Sequence, residues 1–120
     1  MNQRALMQAT IIGTVLQLAM VLIGHKSPAV AQMFAVGGMA ISLIAGAIYA
    51  WMARPSVGGG AAGGAVAGGV CALIGIVVSF ALGDVTAMIL AVGTLSSAVT
   101  GAIGGAIGAL LFRRPATASS

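Results

Sequence analysis

Long apolar stretches separated by short polar breaks dominate the chain. Four stretches run without an internal charged residue, at residues 5–23, 29–53, 57–82 and 85–112. A helix of about 20 apolar residues crosses a hydrocarbon layer of roughly 30 Å, so each stretch approaches or exceeds the length of a membrane span. The pattern predicts an all-α integral membrane protein, built as a bundle of four transmembrane helices.

The breaks between the stretches contain residues that end or start helices. They are residues 24–28 (Gly-His-Lys-Ser-Pro), 54–56 (Arg-Pro-Ser) and 83–84 (Gly-Asp). Glycine and proline stop helices, and an aspartate at a helix start accepts hydrogen bonds from free backbone N–H groups, so we expect Asp84 to cap the fourth helix. Residues 1–114 are therefore predicted to form one membrane domain, followed by a disordered tail at residues 115–120.

Charge placement predicts how the bundle is oriented. With four spans both termini share a side, and four of the five basic residues fall on that side: Arg4, Arg54, Arg113 and Arg114. Lys26 and Asp84 fall opposite. Because basic residues accumulate on the cytoplasmic side, we expect both termini in the cytoplasm and the chain in the cytoplasmic (inner) membrane. Tyr49 and Trp51 precede Arg54, where aromatic rings favour the headgroup level.

The first stretch has a second interpretation. Arg4, the apolar run and Ala29-Val30-Ala31 resemble the parts of a cleavable signal peptide. The run is long for a signal core, and His25, Lys26 and Pro28 lie awkwardly between that core and the cleavage point. The intact mass of the mature chain distinguishes the two interpretations.

Small residues recur every four positions along three of the stretches. The third carries Gly59, Gly63, Ala67, Cys71, Gly75, Ser79 and Gly83; the second carries Gly38, Ser42, Gly46 and Ala50; the fourth carries Gly93, Ser97, Gly101, Gly105 and Ala109. Lipid tails are as apolar as leucine, so helices in a membrane associate through close packing and hydrogen bonds. We expect glycine-zipper-like packing at these rows, with the third helix the most enclosed.

Polar residues at mid-span allow two interpretations. They are Thr14 and Gln17 in the first stretch, Ser42 in the second, and Ser96 and Thr100 in the fourth. An amide inside hydrocarbon needs a partner, so the helix face that carries Thr14 and Gln17 should look into the bundle. These groups either hydrogen-bond helices together or line a path for a small neutral solute.

Composition leaves little room for catalysis, cofactors or nucleic acid. The chain has one acidic residue, one histidine and one cysteine, which supply neither a structural metal site nor a catalytic group. The basic residues each flank an apolar run rather than forming a patch, which argues against nucleic acid. Residues 58–63 match the Gly-x-Gly-x-x-Gly pattern, but no strand precedes them. We expect His25 in a solvated loop and Cys71 as a packing residue.

These observations predict a mode of action rather than a reaction. The leading hypothesis is a structural or accessory subunit of a homo- or hetero-oligomeric membrane assembly, whose partners are the lipid bilayer and itself or another membrane protein. The alternative is a small transporter or pore for a neutral or weakly polar solute. An enzyme is not expected.

Overall fold

Four helices make up nearly all of the part that the computed structural model describes, which comprises residues 2–27, 34–83 and 85–112. They are α1 (Gln3–Lys26), α2 (Phe34–Ala53), α3 (Val57–Ala81) and α4 (Ala87–Phe112). The chain is an all-helical four-helix bundle, and each helix is long and apolar enough to cross a membrane. Three predicted features lie outside the described residues: the start of the second span (29–33), the cap Asp84 and the tail (115–120).

Three helices begin at a polar side chain that accepts a hydrogen bond from the first turn. The Ala5 N–H donates to Asn2 Oδ1 (3.0 Å), and the Gly59 N–H donates to Ser56 Oγ (3.2 Å). The Ile89 N–H donates to Thr86 Oγ1 (3.3 Å). Each cap satisfies a backbone donor that has no partner within its helix. Thr86 therefore takes the role at the start of α4 that the sequence suggested for Asp84.

Two residues with positive φ lie beyond helix ends. Gly83 (φ 80°) follows α3, where a left-handed residue is a common helix stop. Arg54 (φ 50°) is the one non-glycine residue with positive φ among those described, and it directly follows α2. Its guanidinium donates from Nη1 to the Phe112 carbonyl (2.7 Å), which places a cation at the carbonyl end of α4.

These contacts place three parts of the chain at one end of the bundle. The Asn2 N–H donates to Tyr49 Oη (3.4 Å), near the end of α2, and Arg54 reaches the last residue of α4. The start of α1, the α2–α3 connection and the end of α4 therefore lie together. His25 and Lys26 lie at the other end, exposed in the last turn of α1 rather than in a loop, and basic side chains there suit the helix dipole.

Helices α2 and α3 form the middle of the bundle. Each packs against all three other helices, and the pair α3 and α4 has the most extensive contact. Among the described residues α1 and α4 make no comparable contact with each other. As expected from its small residues, α3 is the most enclosed helix, whereas α1 is the least enclosed.

Small residues fill the interior and large apolar residues cover the outside. Fully buried positions include Ala9, Ala45 and Ala67. Large apolar residues are instead often exposed, and those more than 60% exposed include Met7, Val15, Val36, Met88, Leu95 and Leu111. Water-soluble proteins bury large aliphatic side chains preferentially, so the distribution here is the reverse of theirs.

Tyr49 is buried although it lies near the end of α2. Its ring is only 1% exposed and lies against Gly63 of α3, where any β-carbon would collide with the ring atoms. Trp51, two residues later, is 55% exposed. The two rings therefore lie in different environments although both precede Arg54, because the missing side chain of Gly63 leaves a space that the Tyr49 ring fills.

Tyr49→Ala is expected to destabilise the bundle by about 3 kcal/mol, because it empties a fully enclosed site. Thermal unfolding followed by circular dichroism in mild detergent measures this change. Trp51→Ala is the matched control, since it removes a larger ring from an exposed site on the same helix. Equal losses for the two variants would contradict the buried position of Tyr49.

Candidate functional site

The closest helix contact joins α3 and α4 at glycines of both helices. A β-carbon added to Gly105 would collide with the Gly60 carbonyl oxygen, and one added to Gly60 would collide with the Gly105 carbonyl oxygen. Gly64 and Gly101 show the same reciprocal relation. One turn further, a β-carbon on Gly68 would lie 2.9 Å from the Cα of Gly101. The two backbones therefore touch directly along this row.

This geometry directs glycine hydrogens toward carbonyl oxygens. The α-hydrogen of each glycine takes the direction that a β-carbon would have, so in both reciprocal pairs it points at the oxygen of the other helix. Such Cα–H···O contacts contribute roughly 0.5 to 1 kcal/mol each. The four contacts formed by Gly60, Gly64, Gly101 and Gly105 bind α3 to α4 without side chains.

Helix α2 reaches the same part of α4 from another side. A β-carbon on Gly46 would collide with the Gly101 carbonyl oxygen and lie 2.8 Å from the Gly105 nitrogen. A β-carbon on Gly104 would lie 3.0 Å from the Cα of Leu43. Gly101 and Gly105 thus contact two neighbouring helices at once, and three helix backbones converge there.

Helix α1 lies against α2 and α3 through one glycine of its own and one of α3. A β-carbon on Gly13 would lie 2.9 Å from Cys71 Sγ and 3.1 Å from the Ala45 β-carbon. A β-carbon on Gly75 would lie 2.9 Å from the Gln17 β-carbon. The outermost helix is therefore held by glycines that face side chains, whereas α3 and α4 meet backbone against backbone.

The structure places most of the predicted packing residues in the interior. Those that are buried are Gly38, Ser42, Gly46, Gly63, Gly75, Ser97, Gly101 and Gly105. Gly93 is half-buried against Ile76. Gly59 is also half-buried, but its neighbours are Pro55 and Ser56 in its own cap, and Gly83 lies beyond the end of α3 with nothing close to it.

The sequence analysis missed the row of α3 that contacts α4 most closely. Gly60, Gly64 and Gly68 lie one position along from the predicted row that begins at Gly59. Both rows consist of small residues four apart, so composition does not choose between them. Helix register relative to α4 decides which row faces the partner, and that register is a tertiary property.

A buried polar cluster joins α1, α2 and α3. Gln17 Nε2 donates to the Gly38 carbonyl (3.2 Å) and approaches Cys71 Sγ (3.9 Å). Ser42 Oγ donates to the Gly68 carbonyl (3.2 Å), which also accepts from Cys71 Sγ (3.3 Å). Gln17 and Ser42 are almost fully buried, so each hydrogen bond replaces one that water would otherwise supply.

The other predicted polar residues do not all join this cluster. Thr100 Oγ1 donates to the Ser96 carbonyl of its own helix (2.8 Å). Thr14 Oγ1 is buried and has no hydrogen-bond partner within the described residues, and the same holds for Ser79 Oγ. The structure therefore brings Gln17 and Ser42 together around Cys71, whereas Thr100 is engaged by its own helix.

A shallow open cleft of about 290 Å³ lies at the end of the bundle where the chain begins. Its lining comprises Asn2, Tyr49, Ala53, Pro55 and Gly59. None of these side chains carries an acid or base suited to catalysis near neutral pH. The cleft therefore adds no reactive group to the polar cluster.

Comparisons with known proteins assign neither a family nor a function to the chain. No family model matches the sequence, and neither a curated protein nor a solved structure matches the chain. The features on which a function can be argued are the glycine contacts, the polar cluster and the apolar outer surface.

Gly105→Ala is expected to destabilise the bundle by about 1 to 3 kcal/mol, because its β-carbon would force α3 and α4 apart. The matched control is Gly58→Ala, whose β-carbon meets nothing within 4 Å and should change stability by less than about 1 kcal/mol. Thermal unfolding in mild detergent compares the two variants. A Gly105→Ala protein as stable as the control would show that the backbones do not touch there.

Proposed function

We propose that the chain is an integral protein of the cytoplasmic membrane that acts through helix packing, as a structural or accessory subunit of a membrane assembly. The observation that carries this proposal is the reversed distribution of side-chain size. Bulky apolar residues cover the outside of the bundle, and glycine, alanine and serine fill the interior. Lipid accommodates such a surface, whereas water would penalise it.

We propose further that the helices associate through glycine-zipper packing. In lipid, no hydrophobic driving force draws helices together, so direct backbone contact and hydrogen bonds must supply the attraction. The contacts at Gly60, Gly64, Gly101 and Gly105 provide close approach, and Gln17 and Ser42 provide interhelical hydrogen bonds. Glycines that would weaken a helix in water serve here as contact points.

The proposed orientation rests on the basic residues. Arg4 in the first turn of α1 and Arg54 beside the end of α4 lie at the same end of the bundle, and Arg113 and Arg114 follow α4 directly in the sequence. Lys26 lies at the other end. The excess of arginine marks the end with the chain termini as cytoplasmic.

The hydrogen bonds of the polar side chains favour an accessory role over transport. Gln17 and Ser42 donate to backbone carbonyls of neighbouring helices, and Thr100 donates to a carbonyl of its own helix. Gln17 and Ser42 therefore hold neighbouring helices together, and the Thr100 hydroxyl is hydrogen-bonded within α4, so these groups do not offer free sites to a solute. The buried hydroxyl of Thr14, which has no hydrogen-bond partner within the described residues, favours the alternative, a pore for a small neutral solute.

Thiol labelling in intact cells tests the orientation. In a Cys71→Ala background, a membrane-impermeant maleimide should label Ser27→Cys from outside, because Ser27 follows α1 at the proposed outer end. Ser56→Cys, in the α2–α3 connection, should be labelled only after the cells are permeabilised. The reverse pattern would overturn the orientation, and full labelling of both sites in intact cells would contradict a sealed four-span arrangement.

Cross-linking in the membrane tests whether the chain belongs to an assembly. Cross-linking a tagged full-length chain in its membrane, followed by intact mass measurement, should give species heavier than the 11.6 kDa single chain, as dimers or with a bound membrane protein. Dilution with excess lipid before cross-linking is the control for random collisions and should leave a specific complex intact.

The same purified chain distinguishes the alternative function. If only single chains are recovered, and if vesicles containing the chain release a trapped neutral solute such as glycerol, the pore interpretation replaces the accessory one. Gln17→Leu should then reduce the flux. Single chains without any flux would contradict both proposals.

A further inference from the structure

The two halves of the chain carry the same sequence pattern. The pattern Gly-x-x-x-Ser-x-x-x-Gly-Ala-Ile occupies residues 38–48 in α2 and residues 93–103 in α4, a separation of 55 residues. At the same separation α1 and α3 share three identical pairs: Gly13 and Gly68, Val15 and Val70, and Leu18 and Leu73. One separation therefore relates both helices of the first hairpin to both helices of the second.

The difference in length between α2 and α4 also follows this pattern. Gly-Ala-Ile-Gly occurs twice in succession in α4, at residues 101–104 and 105–108, whereas α2 has one corresponding turn at residues 46–49. Beyond this turn α2 leads to Arg54-Pro55, and the sequence after α4 reaches Arg114-Pro115, 60 residues later. The additional turn in α4 accounts for four of the five residues by which this separation exceeds 55.

Burial repeats with the same separation. The buried residues of α1 are Ala5, Ala9, Gly13, Gln17, Val21 and Gly24. Their counterparts 55 residues later are buried in α3, apart from the half-buried Ile76: Gly60, Gly64, Gly68, Ala72 and Ser79. Exposed residues correspond as well, for example Leu22 with Val77. Helix α3 is also buried at positions whose counterparts in α1 are exposed, for example Ala67 with Ile12 and Cys71 with Leu16. The correspondence therefore covers the buried face of α1, and α3 has a further buried face.

Helix contacts follow the correspondence to within one to three residues. In the first hairpin Gly13 packs against Ala45, and in the second Gly68 packs against Gly101, one residue from the counterpart of Ala45. Corresponding helices also lie side by side and run in the same direction. In α1 and α3, Gly13 meets Cys71 and Gln17 meets Gly75, so positions advance together along both helices.

We propose that the chain is a parallel internal repeat, two copies of one helical hairpin that lie within residues 3–53 and 58–112 and pack in the same orientation. Each copy contains two helices, so each begins and ends at the same end of the bundle. The two hairpins, which are joined in one chain, then pack against each other as two separate hairpins would.

Spin-label distances in the full-length chain test the proposal. In a Cys71→Ala background, nitroxide pairs are placed at corresponding exposed positions, Met7 with Ala62 and Leu22 with Val77. The matched controls are the crossed pairs, Met7 with Val77 and Leu22 with Ala62. All four sites are on the outer surface, so labelling preserves the packed interior. The measurement in detergent does not depend on the proposed membrane location.

A parallel repeat predicts that the two corresponding pairs give similar distances. The crossed pairs should be longer by on the order of 10 Å, because 15 residues separate the two sites along each helix. Crossed pairs as short as the corresponding pairs, or shorter, would mean that the hairpins are displaced or inverted relative to each other. That result would overturn the repeat and leave the membrane proposal standing.

Discussion

Direct contact between the backbones of α3 and α4 is the constraint on which the rest of the structure depends. Gly60 and Gly64 face Gly105 and Gly101 so closely that no β-carbon fits between them. Because Gly46 of α2 meets the same two residues of α4, the contact fixes three helices at once. Helix α1 then lies against α2 and α3 through Gly13, and Gln17 of α1 donates a hydrogen bond to the Gly38 carbonyl of α2.

The small residues at the helix contacts determine the character of the surface. Backbones that touch leave no room for leucine or isoleucine between the helices, so these residues point outward, as Leu95 and Ile11 do. The resulting surface is apolar over the length of the helices, with basic residues near their ends. This arrangement supports the proposal that the solvent of the bundle is lipid and that its action is association rather than chemistry.

The sequence predicted the number, order and approximate bounds of the helices, because uninterrupted apolar runs and Gly, Pro or Ser breaks act locally. It also indicated that α3 is the most enclosed helix, because its long row of small residues winds around the helix and faces more than one neighbour. It did not identify the row that meets α4, since Gly59 and Gly60 begin two equally small rows. Nor did it place Tyr49 inside, because that position depends on the space beside Gly63, a residue of another helix. Thr86 replaced Asp84 as the observed cap, since either residue type suits that role.

Solid-state NMR of the glycine-labelled chain in lipid bilayers tests the central contact most directly. The account predicts through-space cross-peaks between the α-carbons of Gly64 and Gly101 and between those of Gly64 and Gly105, together with slow amide exchange at Gly64 and Gly68. Absence of these cross-peaks in a folded, helical sample, or rapid exchange throughout residues 58–69, would contradict a bundle held together by touching backbones.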